Sequence, residues 1–261
     1  MNSSTAIPHS ETIPWWEPRI ERDDAELIQS VLDSNFPNDG EITTEFENFL
    51  SEILSIRYVV CVTSGTAALF LALKALNIGY GDEVIIPDIT FVATANAVSM
   101  AGATPVIVDV EPNSLNICPK SISENITPKT RAIIPVHVSG RGANMTLIRQ
   151  IADEYNVAII EDAAEALASQ KDGKFLGAHG EMGCFSFSPN KTISCGQGGA
   201  VVTDNPDLHQ RLRELKDQGR VKRGTGGADL HPTVGFNFKL TNLQSALGLG
   251  QMKYLQERIC I

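Results

Sequence analysis

Three short segments bring together residue types that can hold an anion, balance a cation and offer a nucleophilic amine. Ser186-Phe187-Ser188-Pro189-Asn190-Lys191 places a lysine downstream of two hydroxyls and just before the glycine-dense turn Gly196-Gln197-Gly198-Gly199. Most lysines are solvated surface charges. Here the clustered glycines let backbone come up against a planar ligand while the amine reaches into the same space. Thr63-Ser64-Gly65-Thr66 joins an apolar run ending at Val62 to a helical pattern beginning near Ala67. Such a junction offers free N–H groups, hydroxyls and the positive end of a helix dipole, where a phosphate can dock. The same residues also make an ordinary capped helix start, with Ser64 or Thr66 satisfying one orphan N–H. The turn is neither a Walker loop nor a dinucleotide-binding G-x-G-x-x-G. Glu161-Asp162-Ala163-Ala164-Glu165 follows the apolar run Val157 to Ile160. In open α/β sheets ligands bind beyond the carboxyl ends of strands, so these carboxylates are well placed to meet one. The alternative is helix N-capping by Asp162.

The elements that must position these groups are short apolar, β-branched runs. They are Tyr58 to Val62, Glu83 to Ile86, Thr104 to Val110, Arg131 to Val138, Val157 to Ile160, Cys184 to Phe187 and Ala200 to Thr203. Each predicts a strand. Helical stretches such as Ala67 to Leu76 and Met145 to Tyr155 lie between them and serve as crossovers, so the pattern is that of an α/β fold. Several runs are apolar at consecutive positions, as strands covered on both faces are. The loop Arg223-Gly224-Thr225-Gly226-Gly227 reads as the loosest internal segment. A last helical pattern, Asn242 to Arg258, has an apolar face at Leu243, Ala246, Leu247, Leu249, Met252 and Leu255. With no Gly or Pro stop after it, that face predicts an element awaiting a partner.

Composition narrows the partners. The chain has 261 residues with a net charge of -10, and no block of Lys and Arg interrupts the acidic background. Nucleic-acid binding by phosphate neutralisation and a basic membrane-surface patch are both disfavoured. An anionic ligand must be held locally, by backbone amides or a placed cation. The five cysteines form no C-x-x-C pair, which reads as reduced thiols. The N-terminus lacks a basic segment followed by an apolar run, and no stretch approaches the roughly 18 apolar residues of a membrane span. The expectation is a soluble, cytoplasmic protein. His9, His137, His179, His209 and His231 show no metal-ligand spacing, so no metal is expected. His137, in the segment VHVSG, either lines the site or is a satisfied buried histidine.

Read in order, TSGTAALFLALKALNIGYGDEVIIPDITFVATANAV, GATPVIVDVEP, RAIIPVHVSG, VAIIEDAAEA, CFSFSPNKTISCGQGGAVVTD and GFNFKLTNLQSALGL resemble the DegT/DnrJ/EryC1/StrS family of sugar aminotransferases that use pyridoxal 5'-phosphate. The resemblance runs from Ile13-Pro14 to the last helix. It implies the fold type I architecture of pyridoxal-phosphate transferases, an aspartate-aminotransferase-like large domain with a mostly parallel seven-stranded sheet between helices. Lys191 would hold the cofactor covalently and move the proton of the amino transfer. Asp162 would pair with the protonated pyridine nitrogen and keep the ring electron-withdrawing. Gly65, Thr66 and Ser186 would bind the cofactor phosphate, and Asn237 would reach the phosphate of a neighbouring subunit, which implies a homodimer with shared sites. Phe91 would stack on the ring; its alternative is ordinary core packing.

The resemblance also implies a nucleotide-linked 4-keto-6-deoxy sugar as substrate, with glutamate as amino donor, for surface polysaccharide synthesis. Two positions depart from the family pattern. Glu165 stands where most family aminotransferases carry Gln and the dehydratase branch carries His. A carboxylate there would repel the cofactor's phenolic oxygen unless protonated or turned away. Together with the NKT around Lys191 it is similar to the GDP-perosamine synthase subgroup, which favours GDP-4-keto-6-deoxymannose. Gln197 replaces the usual Glu without an assigned consequence. The expected organisation is a cofactor-binding large domain over residues 1–240 and a connecting helix over 241–261, leading toward a C-terminal domain that family members carry and this chain lacks.

Overall fold

The computed structural model describes residues 16, 19–221 and 230–259. The Arg223–Gly227 segment, Ile13-Pro14 and His9 lie outside them. In chain order the elements are α1 (Arg22–Asp33), α2 (Glu41–Leu54), β1 (Tyr58–Val62), α3 (Gly65–Ala75), β2 (Glu83–Pro87), α4 (Ala93–Ala101), β3 (Thr104–Val108), α5 (Pro119–Asn125), β4 (Thr130–Ile133), α6 (Met145–Tyr155), β5 (Ala158–Asp162), β6 (Gln170–Lys171), β7 (Lys174–Phe175), β8 (Met182–Ser186), β9 (Gly199–Thr203), α7 (Pro206–Lys216), α8 (Asn242–Met252) and α9 (Leu255–Ile259).

Seven strands form one sheet in the order β1-β9-β8-β5-β4-β2-β3, and β6 and β7 form a separate small hairpin. The pairs β2–β3, β2–β4, β4–β5 and β5–β8 are parallel, whereas β9 runs antiparallel to both neighbours, β1 and β8. Six strands therefore end at the same edge, and β9 alone begins there. That edge carries Val62, Asp162, Ser186 and Gly199, so all three chemistry-bearing segments meet at one end of the sheet.

Helices cover both faces. On one face α3 lies against β1, β8 and β9 together with α4 and α7, through Leu69, Leu71, Leu73, Val98, Leu212 and Leu215. The sequence of α3, GTAALFLALKA, is apolar nearly all round, which suits a helix buried on most sides. On the other face α2 and α8 cover the β1–β9–β8 end through Phe46, Leu50, Leu249 and Met252. Ile122 of α5 and Ile148 of α6 cover β2, β4 and β5. Each fully buried Leu, Ile or Phe contributes about 1.5–3 kcal/mol. The edge strand β3 is the exception to two-sided burial, with Ile107 exposed.

The C-terminal helical pattern departs from expectation in two ways. It breaks at Lys253 and Tyr254, whose N–H groups tighten onto Gly250 O and Gln251 O at 3.2 Å each. Part of its apolar face is also already covered, because α8 lies against α1 and α2 and buries Ala246, Leu249 and Met252, whereas Leu243 and Leu247 stay partly exposed. The fit is close: a side chain on Gly250 would meet Asp24, and one on Gly248 would meet Cys195 Sγ and Phe46. Polar contacts lock the arrangement, with Thr43 N–H and Oγ1 donating to Asn242 Oδ1 at 3.1 and 3.2 Å.

Candidate active site

The α3 turn forms as the sequence allows, and both of its readings have a structural basis. Ser64 is the N-cap, and its hydroxyl accepts the Ala67 N–H at 3.1 Å. The N–H groups of Gly65 and Thr66 open the helix, where no intrahelical acceptor exists. Gly65 faces Ser186 at the end of β8; a Cβ there would lie 2.9 Å from Ser186 Cβ. A Cβ on Gly199 would lie 2.5 Å from Ser64 C and O and 2.7 Å from Gly65 N. The two glycines thus let the helix N-terminus sit directly on the ends of β8 and β9. Ser186 Oγ is 3.1 Å from Ser188 Oγ, so a pair of hydroxyls flanks the turn.

Asp162 is the last residue of β5 rather than a residue beyond it, and no helix follows for it to cap. Its Oδ2 accepts the Thr94 hydroxyl at 2.7 Å and its Oδ1 accepts the Ala164 N–H at 3.2 Å. Burial pushes the carboxyl above its usual range, opposed by those two hydrogen bonds and by the nearby Lys191 charge. A buried carboxylate with a net upward shift favours the arrival of a cation. Thr94 is itself fully buried and is 2.7 Å from Thr90 Oγ1, which completes a relay of hydroxyls behind Asp162.

Lys191 lies in the loop after β8, with its Nζ 3.5 Å from Glu165 Oε1. The second Glu165 oxygen accepts the Ser139 N–H at 2.9 Å. Glu165 is exposed, with an amide fixing one oxygen and the lysine facing the other. A cavity of about 350 Å³ is lined by Trp16, Ser139, Glu165, Ser186, Asn190 and Lys191, among others. It brings Glu165, Ser186 and Lys191 together. Gly65, Thr66, Phe91, Asp162 and Asn237 do not line it. A larger cavity of about 590 Å³ lies at the opposite edge of the sheet, where Arg131 pairs with Asp82 and Arg149 with Glu181. Its charges are matched among themselves.

Phe91 is 75% exposed, which removes core packing as its role. Asn237 is also exposed, between Phe236 and Phe238, whose rings contact Phe70 of α3. His137 is completely buried and hydrogen-bonded, so it is a satisfied interior histidine and not a cavity-lining one. Sequence reasoning missed Thr94 and Ser139. Thr94 carried only the ambiguous signal of a threonine near a helix start, and Ser139 contributes a backbone N–H, which side-chain type does not announce.

Among the described residues no helix is long and apolar enough to cross a membrane, and no group of three or more His, Cys, Asp and Glu could hold a metal ion. A family model described as the DegT/DnrJ/EryC1/StrS aminotransferase family matches residues 18–260. A GDP-perosamine synthase of Caulobacter vibrioides is 37% identical over 243 residues, covering 93% of this chain and 65% of the relative. A GDP-perosamine synthase of Escherichia coli O157:H7 is 38% identical over 248 residues, covering 95% of this chain and 67% of the relative. The chain thus spans about two thirds of the length of these relatives. Among solved structures, NtdA from Bacillus subtilis with bound cofactor PMP superposes with a TM-score of 0.83 at 38% identity, covering 91% of this chain and 55% of that one. With its sheet edge, helix N-terminus, buried aspartate and loop lysine arranged as described and the match running over nearly its whole length, the chain belongs to the DegT/DnrJ/EryC1/StrS aminotransferase family.

Proposed function

We propose that this chain binds pyridoxal 5'-phosphate through Lys191 and transfers an amino group from glutamate to a nucleotide-linked 4-keto-6-deoxy sugar, with GDP-4-keto-6-deoxymannose, the precursor of GDP-perosamine, as the favoured acceptor. The observation that carries the reading is the meeting of Lys191, Asp162 and the α3 N-terminus at one sheet edge. The residues fit the cofactor's chemistry: the buried, upward-shifted Asp162 calls for a cation, and the open N–H groups of Gly65 and Thr66 beside Ser186 call for a phosphate. When bound, the cofactor supplies an aldehyde that condenses with an amine and a cationic ring that withdraws electrons from the neighbouring carbon.

The chain's own groups then have defined tasks. Lys191 Nζ holds and moves the proton, and Glu165, fixed by the Ser139 N–H, is placed to hold that amine in position. Asp162 keeps its proton partner charged, with Thr94 orienting the carboxylate. Phe91, exposed beside the site's α4 element, supplies an aromatic face for a planar ring. Similarity to two GDP-perosamine synthases supports the GDP-linked acceptor. The reading further places the protein in the cytoplasm, in sugar synthesis for surface polysaccharide, as a homodimer in which the exposed Asn237 reaches the partner's cofactor phosphate.

The test is a mass-spectrometric assay of GDP-, dTDP- and UDP-linked 4-keto sugars with glutamate. Conversion of GDP-4-keto-6-deoxymannose to its amino sugar is expected. Failure to aminate any of the sugars, with glutamate unconsumed, contradicts the reading.

A further inference from the structure

Glu161 immediately precedes Asp162 on β5, so the pleat turns its side chain to the opposite face of the sheet. There the carboxylate is completely buried and accepts four N–H groups. Oε2 accepts from His137 Nε2 and Gly177 N at 2.9 Å each, and Oε1 accepts from His179 N and Gly180 N at 2.6 Å each. His137 Nδ1 accepts the Ala143 N–H at 3.2 Å, so the ring proton sits on Nε2 and points at Glu161. The pair ties the end of β5 to the loop after β4 and to the loop before β8.

Each tie continues into the candidate site. The His137 N–H donates to Asp162 O at 3.1 Å, and the Asp162 N–H donates to Pro135 O at 2.9 Å. Two residues after His137, Ser139 adopts a left-handed φ of 52° and turns its N–H onto Glu165, the carboxylate that faces Lys191. Burial of an ion for stability alone is a poor bargain, because well-packed apolar groups of the same volume do as well or better. What four aligned donors supply instead is a fixed direction.

We propose that His137 and Glu161 are positioning residues, which set the Asp162 backbone and the Ser139 N–H and so hold Glu165 opposite Lys191 without touching the reacting atoms. The proposal rests on the reading of Lys191 as the cofactor lysine, and its test separates the two. Replacing Glu161 would strand four donors and threaten the fold, so the informative variants are at His137. In His137→Gln the amide nitrogen reaches about as far as Nε2 and keeps the bond to Glu161. In His137→Asn the side chain reaches only as far as Nδ1, keeping an acceptor for Ala143 and losing Glu161.

The first measurement needs no cofactor: amide hydrogen exchange of the peptide containing Ser139. Exchange at least about tenfold faster in His137→Asn, with His137→Gln close to the parent, is expected. Equal exchange in the three proteins overturns the proposal. The second is affinity for pyridoxal 5'-phosphate and the rate of the half-reaction with glutamate. His137→Asn should lose on the order of 10²-fold in rate with little change in glutamate KM, and His137→Gln should be largely restored. Adding Glu165→Ala to His137→Asn should cost little more than His137→Asn alone, because the Glu165 contact is already loosened there. Losses that are equal in Asn and Gln, or that add fully with Glu165→Ala, overturn the proposal. Should the parent protein take up no cofactor while the exchange pattern holds, the functional reading falls and the positioning role stands.

Discussion

Replacing Thr94 with Val isolates the contact that orients Asp162. The change keeps shape and volume but removes the hydroxyl that donates to Asp162 Oδ2 at 2.7 Å, in a place where neither residue has water to turn to. A hydrogen bond to a charged group is worth about 1.5–3 kcal/mol, against about 0.5–1.5 kcal/mol for a neutral one. Losing the bond that favours the ionised form pushes the Asp162 carboxyl further in the direction burial has already moved it. The sign follows from linkage. A carboxyl whose folded pKa lies above its unfolded value favours the fold below the ordinary carboxylate range, and that contribution is lost as pH rises through the folded pKa. Thr94→Val extends the penalty on the ionised form, so the cofactor-free variant should trail the parent by about 1–2 kcal/mol more at about pH 8 than at about pH 4. Urea denaturation of both proteins at the two pH values measures the difference. A stability gap that is the same at both ends would refute the assignment of Thr94 as a donor to a buried carboxylate.

Three further outcomes follow from the geometry. Gly199→Ala should drive the Ser64–Gly65 turn away from β8 and β9, because its Cβ would sit 2.5 Å from Ser64 C and O. Overpacking of this kind costs about 1–3 kcal/mol, and titration with pyridoxal 5'-phosphate should show weakened binding alongside the lowered stability. Phe91→Ala should leave stability within about 0.5 kcal/mol, since the ring is exposed, while weakening cofactor affinity; a large drop in melting temperature would assign Phe91 to packing instead. Lys216→Met should remove the cation that a 2%-exposed side chain presents to Asp39 Oδ2 at 3.2 Å, Glu47 Oε1 at 3.7 Å and Cys61 O at 3.2 Å. Glu47 keeps its Arg213 partner, so the cost is that of a lost charged hydrogen bond, about 1.5–3 kcal/mol, a fall of several degrees in Tm by calorimetry.

How much of this could be read from the chain depended on the range of the interactions involved. The runs Tyr58–Val62 and Met145–Tyr155 appear in the structure with the bounds their patterns predict, because a strand covered on both faces is continuously apolar and α6 has both amphipathic spacing and an Asn144 cap. Glu161 and Asp162 looked as though they lay past the end of β5, since charges usually end a buried run. Their partners, His137, Gly177 and Thr94, come from distant segments that no local pattern joins to them. The same cause hid the cover over α8. The Leu249 and Met252 side of its apolar face meets α1 and α2, and its cap region bonds Thr43 across 199 residues of sequence. Lys191 and Asp162 could be picked out as chemistry by residue type, whereas the amide of Ser139 that holds Glu165 could not.

In the proposed function Lys191 is the amine that takes the cofactor. Purified protein mixed with pyridoxal 5'-phosphate, reduced with borohydride and digested should carry the added cofactor mass on the peptide containing Lys191, with a visible absorbance band before reduction. Protein that stays colourless, or label found on another lysine such as Lys171 or Lys174, would contradict it.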